Sequence, residues 1–139
     1  SGDPKNFNLN DCSTQRNLNS IGRKQSKNMG ALFLKYNINT ENIYSSEWCR
    51  CKETAFIAFK KFKTKKFLNS FYSPKFKKNK KKQIEEFKEF IKDWDKEEHL
   101  IFITHYVFIL EILNYSTSSA EIVISDESLK VIDSIQIRE

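Results

Sequence analysis

Apolar residues recur at helical spacing in two stretches of the first half of the chain. Between residues 21 and 36 they fall close to one helical face, after Asn19, which is a good helix N-cap type. We expect this helix to end near residue 37. The spacing predicts a second helix over residues 47–59, whereas residues 1–18 show little periodicity and are predicted to be irregular.

The second half of the chain alternates apolar runs with amphipathic stretches. From Ile84 to Trp94 the apolar residues recur on one helical face, with charged residues opposite. The stretch at residues 99–104 is largely apolar, which is typical of a strand buried on both faces of a parallel sheet. In all, strands are predicted at residues 43–45, 99–104, 120–125 and 129–137, and later helices at residues 83–95 and 106–113. This alternation predicts an α/β fold of three layers, a mostly parallel sheet flanked by helices.

The length and composition suit one globular domain spanning residues 1–139, because 39% of the residues are hydrophobic and twelve are Phe. No apolar run reaches the roughly eighteen residues of a membrane helix, and the first residues do not resemble a signal or transit peptide. Three Cys and two His are too few for a zinc-finger array or a disulfide scaffold. We therefore expect a soluble protein, in a compartment that the sequence does not define.

The positive charge is concentrated in one segment. The net charge is +6, and residues 60–82 contain eleven lysines and no acid, interleaved with aromatic residues. We expect a Lys-rich insertion that forms a loop around Pro74, with helical character possible on either side. Its Phe residues are expected to pack inward, and it is expected to have a secondary role in attracting a phosphorylated substrate. Lys with aromatics also suits single-stranded nucleic acid or an anionic membrane. Arg is the usual base-reading residue, and only Arg50 is near, which argues against sequence-specific nucleic-acid recognition.

Two predicted strand-to-helix junctions carry residues that bind anions. Arg50 follows the strand at residues 43–45, and His105 ends the strand at residues 99–104. Ligands of open α/β sheets bind beyond the carboxyl ends of strands, where helix N-termini favour anions. Taken alone, an Arg near a helix start is usually an ion-pair partner, and a His after a buried strand is usually structural. At two equivalent positions, Arg50 and His105 make a candidate phosphate site.

Four motifs, in order along the chain, resemble the histidine phosphatase superfamily, the phosphoglycerate-mutase-like proteins. Residues 18–26 (LNSIGRKQS) resemble its L-[ST]-x-x-G-x-x-Q-[AS] helix opening, and residues 43–55 (IYSSEWCRCKETA) its V-x-S-S-x-x-x-R-x-x-x-T-A segment. Residues 100–105 (LIFITH) resemble its second-histidine strand, and residues 119–125 are similar to its next strand. Residues 11–18 (DCSTQRNL) are similar to a bacterial subgroup with D-C-x-T-Q-R-N-L.

The resemblance implies phosphoryl transfer through a phosphohistidine, without a metal or other cofactor. In such proteins a His of an Arg-His-Gly motif attacks the phosphate, while a second His and Arg residues hold the phosphoryl oxygens. By resemblance, Arg50 and His105 are those phosphate-pocket residues, with catalytic roles. Gln15, Arg16 and Asn17 are further phosphate-binding candidates, because they lead into the first helix near the pocket mouth.

The sequence departs from the family at the nucleophile. It contains no Arg-His-Gly motif, and its two histidines, His99 and His105, both lie far downstream. The family's first central strand is expected before Gly2, so the nucleophile and one phosphate Arg are missing from this chain. A general acid is also unassigned, since Glu53 and Glu111 have no motif support.

Three functions follow from these patterns. The first is phosphomonoester hydrolysis by a complete parent protein acting on a small phosphorylated substrate or a phosphoprotein, with this chain alone inactive. The second is a catalytically inactive phosphoanion-binding protein, and the third is electrostatic binding of nucleic acid or membrane through residues 60–82. The resemblance implies bacterial cytoplasm or periplasm, and a missing central strand predicts oligomers through an exposed sheet edge.

The cysteines suggest no redox motif. Cys49 and Cys51 are two residues apart, so on a helix they point away from each other. Cys12 could approach Cys49 in the fold, but free, partly buried thiols are the expected state.

Overall fold

The computed structural model describes residues 2–139, so Ser1 of the predicted domain lies outside the described residues. The helices are α1 (Ser20–Lys35), α2 (Cys49–Phe59), α3 (Lys80–Lys92) and α4 (Tyr106–Leu113), and the strands are β1 (Ile43–Ser45), β2 (Lys63–Thr64), β3 (Ile101–Ile103), β4 (Glu121–Ser125) and β5 (Val131–Gln136). Short 3₁₀ helices occupy Cys12–Thr14, Lys66–Leu68 and Pro74–Asn79. Within residues 2–139, no helix is both long enough and apolar enough to cross a bilayer.

The predicted α/β class is confirmed by a parallel sheet of three strands in the order β2-β1-β3. β1 lies in the middle, with Tyr44 opposite both Lys63 of β2 and Phe102 of β3. The last two strands, predicted from their Val and Ile content, form a separate antiparallel pair, β4 with β5. Consequently only part of the predicted β-structure belongs to the parallel sheet.

The prediction that β3 is buried on both faces is wrong. Its three residues, Ile101–Ile103, are only half-buried, because β3 pairs on one side with β1 and is an edge strand in the described part of the chain. A continuous apolar run has the same appearance in an edge strand as in a central one, so the sequence pattern alone could not distinguish the two.

The two faces of the sheet are covered by different helices. On one face, Tyr44 and Phe102 pack against a cluster that includes Phe87 of α3 and Phe108 of α4. Helix α2 contacts β1 and β3 and packs in turn on α1. The α1–α2 approach is close at Gly30, where an added Cβ would lie 2.3 Å from the carbonyl oxygen of Ala58. Gly30 is therefore required by helix–helix packing.

The Lys-rich segment has helical turns on both sides of Ser73, as its sequence allows, and a short strand that was not predicted. It contributes β2 and two 3₁₀ helices, and α3 begins inside it at Lys80, three residues before the predicted start, because Lys favours helices. Phe67 and Phe71 do pack inward, and Leu68 between them is fully buried, whereas Tyr72 is 66% exposed. Gln83 of α3 then holds the segment by donating to the carbonyl oxygens of Phe67 and Asn69.

Candidate functional site

The structure brings Arg50 and His105 together at the carboxyl edge of the parallel sheet. Arg50 is the second residue of α2, which starts just after β1, and His105 is the N-cap residue of α4, just after β3. Since β1 and β3 are adjacent and parallel, both side chains reach the same place. Nη2 of Arg50 lies 3.4 Å from Nδ1 of His105.

A buried hydrogen-bond network defines the protonation of the His105 ring. Nε2 of His105 lies 2.8 Å from the hydroxyl oxygen of Ser46, which is itself 3.2 Å from Oδ1 of Asn69. That amide oxygen also accepts from the backbone N–H of Glu47, so it faces the hydroxyl as an acceptor. The single hydroxyl hydrogen of Ser46 therefore goes to Asn69, and Nε2 of His105 must be the donor. Nδ1 is left with its lone pair toward Arg50.

The environment of His105 also disfavours its charged form. The ring is almost fully buried, and burial, followed by the nearby charge of Arg50, lowers the pKa of His105 to about 3. At neutral pH the ring is thus an uncharged imidazole that accepts from the guanidinium. An entering dianion would supply the negative charge that favours the imidazolium.

Asp3 is a site residue that the sequence patterns did not single out. Its Oδ1 lies 3.0 Å from Nη1 of Arg50 and 2.9 Å from the backbone nitrogen of Arg16, and its Oδ2 accepts from Nε1 of Trp48 at 3.0 Å. Burial raises the pKa of Asp3, but the hydrogen bonds from Arg16 and Trp48 and the charge of Arg50 outweigh it, so the pKa is lowered. Asp3 is thus an ionised carboxylate that orients the Arg50 guanidinium.

The three weaker candidates are placed around the site, and the side chains of Gln15 and Asn17 hold the backbone. Gln15 is buried, and its Oε1 accepts from the backbone N–H of Cys49 at the start of α2. Asn17 donates to the carbonyl oxygens of Cys12 and Gln15. The Arg16 side chain is exposed, while its carbonyl oxygen accepts from Nη1 of Arg50 at 3.3 Å. Phosphate binding by these side chains stays a prediction.

The expectation of free thiols is wrong for two of the three cysteines. Cys12 and Cys49 form a disulfide, because the N-terminal segment lies across the start of α2 and brings their Cα atoms to 5.7 Å. The disulfide therefore joins the segment that carries Asp3 to the helix that carries Arg50. Cys51 is free and buried, and desolvation raises its pKa to about 12, so its thiol is unreactive.

The other candidate acids pair with basic residues other than Arg50. Glu53 forms an ion pair with Arg23 at 2.9 Å, and Glu111, on the last turn of α4, pairs with Lys80. His99 precedes the amino end of β3, at the opposite edge from His105. In residues 2–139, no group of three or more His, Cys, Asp or Glu side chains is placed to hold a metal ion.

Two comparisons with known proteins identified no relative. A scan against protein-family models gives no match, and a search of curated proteins gives none. The motifs and the geometry of the site are therefore the basis for any statement about function.

Proposed function

We propose that this chain forms the phosphate-binding part of a histidine-phosphatase-like phosphomonoesterase. The observation that carries the proposal is the approach of Arg50 to His105 at the carboxyl edge of a parallel sheet. A guanidinium donates to two phosphate oxygens at once, and a His that gains a proton as the anion enters adds a second positive partner. The two could stabilise the charge that develops on a transferred phosphoryl group.

The nucleophile of the proposed reaction is a His on a strand outside these 139 residues. The free edge of β3 supports this part of the proposal, because its half-buried apolar residues would be covered by one more parallel strand. Asp3 holds the beginning of the described chain beside Arg50. A strand that precedes Gly2 and runs parallel to β3 would therefore have its carboxyl end at the site.

A phosphoanion-binding protein without catalysis is the second candidate. It is favoured by the position of His99, since His105 is the one histidine at the site and is held by Ser46. The third candidate, electrostatic binding through residues 60–82, is less well supported. Phe67 and Phe71 are buried in the core and cannot stack on bases, which leaves Tyr72 as the most exposed ring of the segment.

Anion binding by the chain itself tests the site. Orthophosphate or orthovanadate should raise the midpoint of thermal unfolding, and Arg50→Ala should weaken the affinity by about tenfold or more, because it removes the charge-assisted contacts. Arg23→Ala is the matched control, since Arg23 is a half-exposed Arg paired with Glu53. Equal affinity of the wild type and Arg50→Ala for both anions would reject the site.

Hydrolysis separates the enzyme from the binding protein. The chain extended at its amino end by an apolar strand ending in Arg-His-Gly should hydrolyse an aryl phosphate in the presence of a chelator. Arg50→Ala and His105→Gln should each reduce that rate by about a hundredfold or more. Turnover that stays at background, with anion binding intact, would reject the phosphatase and favour the phosphoanion-binding protein without catalysis.

A further inference from the structure

Asn69, a polar residue of the Lys-rich segment, is linked to the His105 ring through Ser46. Its Oδ1 accepts from the Ser46 hydroxyl at 3.2 Å and from the backbone N–H of Glu47 at 2.8 Å. Its Nδ2 donates to Oε1 of Glu47 at 2.8 Å. Because Glu47 contacts both ends of the amide, the amide has one orientation, and the Ser46 hydroxyl meets an oxygen that can only accept.

The contacts of Ser46 require Nε2 of His105 to donate a hydrogen. Ser46 is fully buried, and its hydroxyl oxygen also accepts from the backbone N–H of Trp48 at 3.1 Å. Since its one hydrogen goes to Asn69, the oxygen offers a lone pair to Nε2 at 2.8 Å. With the hydrogen on Nε2, Nδ1 of the neutral ring carries a lone pair, and this nitrogen is the one beside Arg50.

A lone pair on Nδ1 restricts which anions fit between His105 and Arg50. A guanidinium has donors only, so it binds any oxyanion, and once it turns to an anion Nδ1 needs another donor. A phosphate group that retains a hydrogen on one oxygen supplies that donor. Sulfate has the same tetrahedral shape but is fully deprotonated at neutral pH, so it would place a lone pair against a lone pair. Sites with a buried hydrogen-bonding group discriminate strongly against an analogue that lacks the matching hydrogen.

The charged and titratable groups around His105 do not replace the hydrogen of the ligand. They are Arg50 and Cys51 of α2 and Asp3 and Arg16 of the N-terminal segment. The pKa of Asp3 is lowered by its hydrogen bonds and by the charge of Arg50, so its carboxylate has no hydrogen to give. Burial raises the pKa of Cys51 to about 12, and its thiol lies on the Nε2 side of the ring. The hydrogen for Nδ1 therefore has to arrive with the ligand.

We propose that Asn69 is a specificity-determining residue that, through Ser46, keeps the Nδ1 lone pair of His105 toward the ligand, so that the site selects oxyanions that retain a hydrogen over fully deprotonated ones. The ligand class is inorganic phosphate or a phosphate monoester in its singly charged form. The inference rests on the proposed function, because it takes the anion to bind between Arg50 and His105. Asn69 acts only through its neighbours and is a positioning residue.

Orthophosphate and sulfate test the selectivity on the chain as it is. At about pH 8 both are mainly dianions, but only orthophosphate retains a hydrogen. Isothermal titration should show orthophosphate binding about tenfold more tightly than sulfate, the ratio expected when one buried acceptor is left without a donor. Phenyl phosphate loses its only acidic hydrogen near about pH 6, so its affinity should fall as the pH is raised from about 5 to about 7.

Nuclear magnetic resonance of the histidine rings tests the cause of the selectivity. The chain has two histidines, and the exposed His99 is an internal reference for His105. At neutral pH the ring nitrogen shifts of His105 should show a neutral imidazole with its hydrogen on Nε2. In Asn69→Ala the Ser46 hydroxyl is free to donate to Nε2, so a fraction of the rings should carry the hydrogen on Nδ1. That nitrogen would then donate to sulfate, and the preference for orthophosphate should fall.

Gln83→Ala is the matched control. Gln83 also holds the Lys-rich segment, but it donates to the backbone carbonyl oxygens of Phe67 and Asn69 and not to the Asn69 side chain. This variant should lower stability, yet keep the hydrogen on Nε2 of His105 and the preference for orthophosphate. The measurements on the wild type do not depend on whether either variant folds.

Three results would overturn the role of Asn69 and leave the anion site in place. They are equal affinities of the wild type for orthophosphate and sulfate, with both lost in Arg50→Ala; a hydrogen on Nδ1 of wild-type His105; and an equal loss of preference in Asn69→Ala and Gln83→Ala. Failure of the proposed function has a different signature. If neither anion binds the wild type, while Nε2 of His105 carries its hydrogen as expected, the Arg50–His105 site is rejected and the selectivity with it.

Discussion

The carboxyl edge of the parallel sheet and the β4–β5 hairpin differ sharply in how firmly their residues are held. At the sheet edge Trp48 is 2% exposed, and its indole N–H, its backbone N–H and its ring each have a partner. On the hairpin, Ile132 is 64% exposed, and Ile124 and Ile135 also reach solvent. One region is held by polar contacts from four parts of the chain, and the other presents apolar side chains.

The two regions differ in whether their side chains find all their partners within the chain. The site is satisfied by the residues present, because within residues 2–139 no buried side-chain nitrogen or oxygen lacks a hydrogen-bond partner. Within residues 2–139, β3 pairs with another strand along one edge only, and the hairpin leaves Ile124, Ile132 and Ile135 exposed. The first property fixes the positions of the side chains at the sheet edge, whereas the second predicts association with a further strand or a second copy.

Loss of the disulfide should have the largest effect on the well-held region. The Cys12–Cys49 bond spans a sequence separation of 37, for which chain-entropy estimates give about 3 to 4 kcal/mol of stability. We expect the double variant C12S/C49S to lose about that much in urea unfolding and to bind orthophosphate more weakly, because Asp3 is released from Arg50. Reductant should destabilise the wild type and leave the double variant unchanged; a loss below about 1 kcal/mol would contradict this.

The pH dependence of stability should expose the buried imidazole. The folded pKa of His105 is about 3, below the ordinary value of 6.5, so the unfolded chain binds a proton first as the pH falls. The contribution of the uncharged His105 ring to the free energy of unfolding is therefore complete above about pH 6.5 and is lost as the pH falls toward 3. Over that range the free energy of unfolding changes by roughly 1.4 kcal/mol per pH unit. His105→Gln should flatten the slope in urea unfolding between pH 6 and pH 4. An unchanged slope would assign it to other groups.

The smallest effect on stability is expected on the hairpin. Ile132→Thr should change the free energy of unfolding by about 0.5 kcal/mol or less, because the side chain is mostly exposed. The same substitution should reduce self-association in sedimentation velocity, since it removes part of the exposed apolar surface. Ile21→Thr, at an exposed position of α1, is the matched control. Equal association of the wild type and Ile132→Thr would remove the hairpin as the contact surface.

The meeting of Arg50 and His105 could be predicted because it depends on local patterns. The β1–α2 and β3–α4 junctions each have their own periodicity, and the carboxyl ends of adjacent parallel strands must share one edge. The cap of α1 is similar, since Asn19 accepts from the backbone N–H of Gly22 within the same turn. In each case neighbours in sequence determine the contact.

The supporting residues could not be found in that way. Asp3 and Arg50 are 47 positions apart, and Ser46 and Asn69 are 23 apart, with no pattern that links them. The sequence allows Cys12 to approach Cys49 but does not predict their disulfide, for the same reason. The position of Cys12 before residues 15–17, which are candidates for the pocket mouth, is a usable signal. Long-range polar contacts depend on how the elements pack, which periodicity does not report.

The side-chain amides of Asn69 and Gln83, which anchor the Lys-rich segment, limit how this protein can change over evolutionary time. Gln83 donates hydrogen bonds to the carbonyl oxygens of Phe67 and Asn69, and the Asn69 side chain accepts one from the Ser46 hydroxyl. Between these amides, Phe71 is buried in the core and Phe76 packs on Trp48, whereas the lysines of the stretch are exposed. We expect related sequences to vary at these lysines, which changes the charge of the surface, while Asn69, Phe71 and Gln83 stay constant.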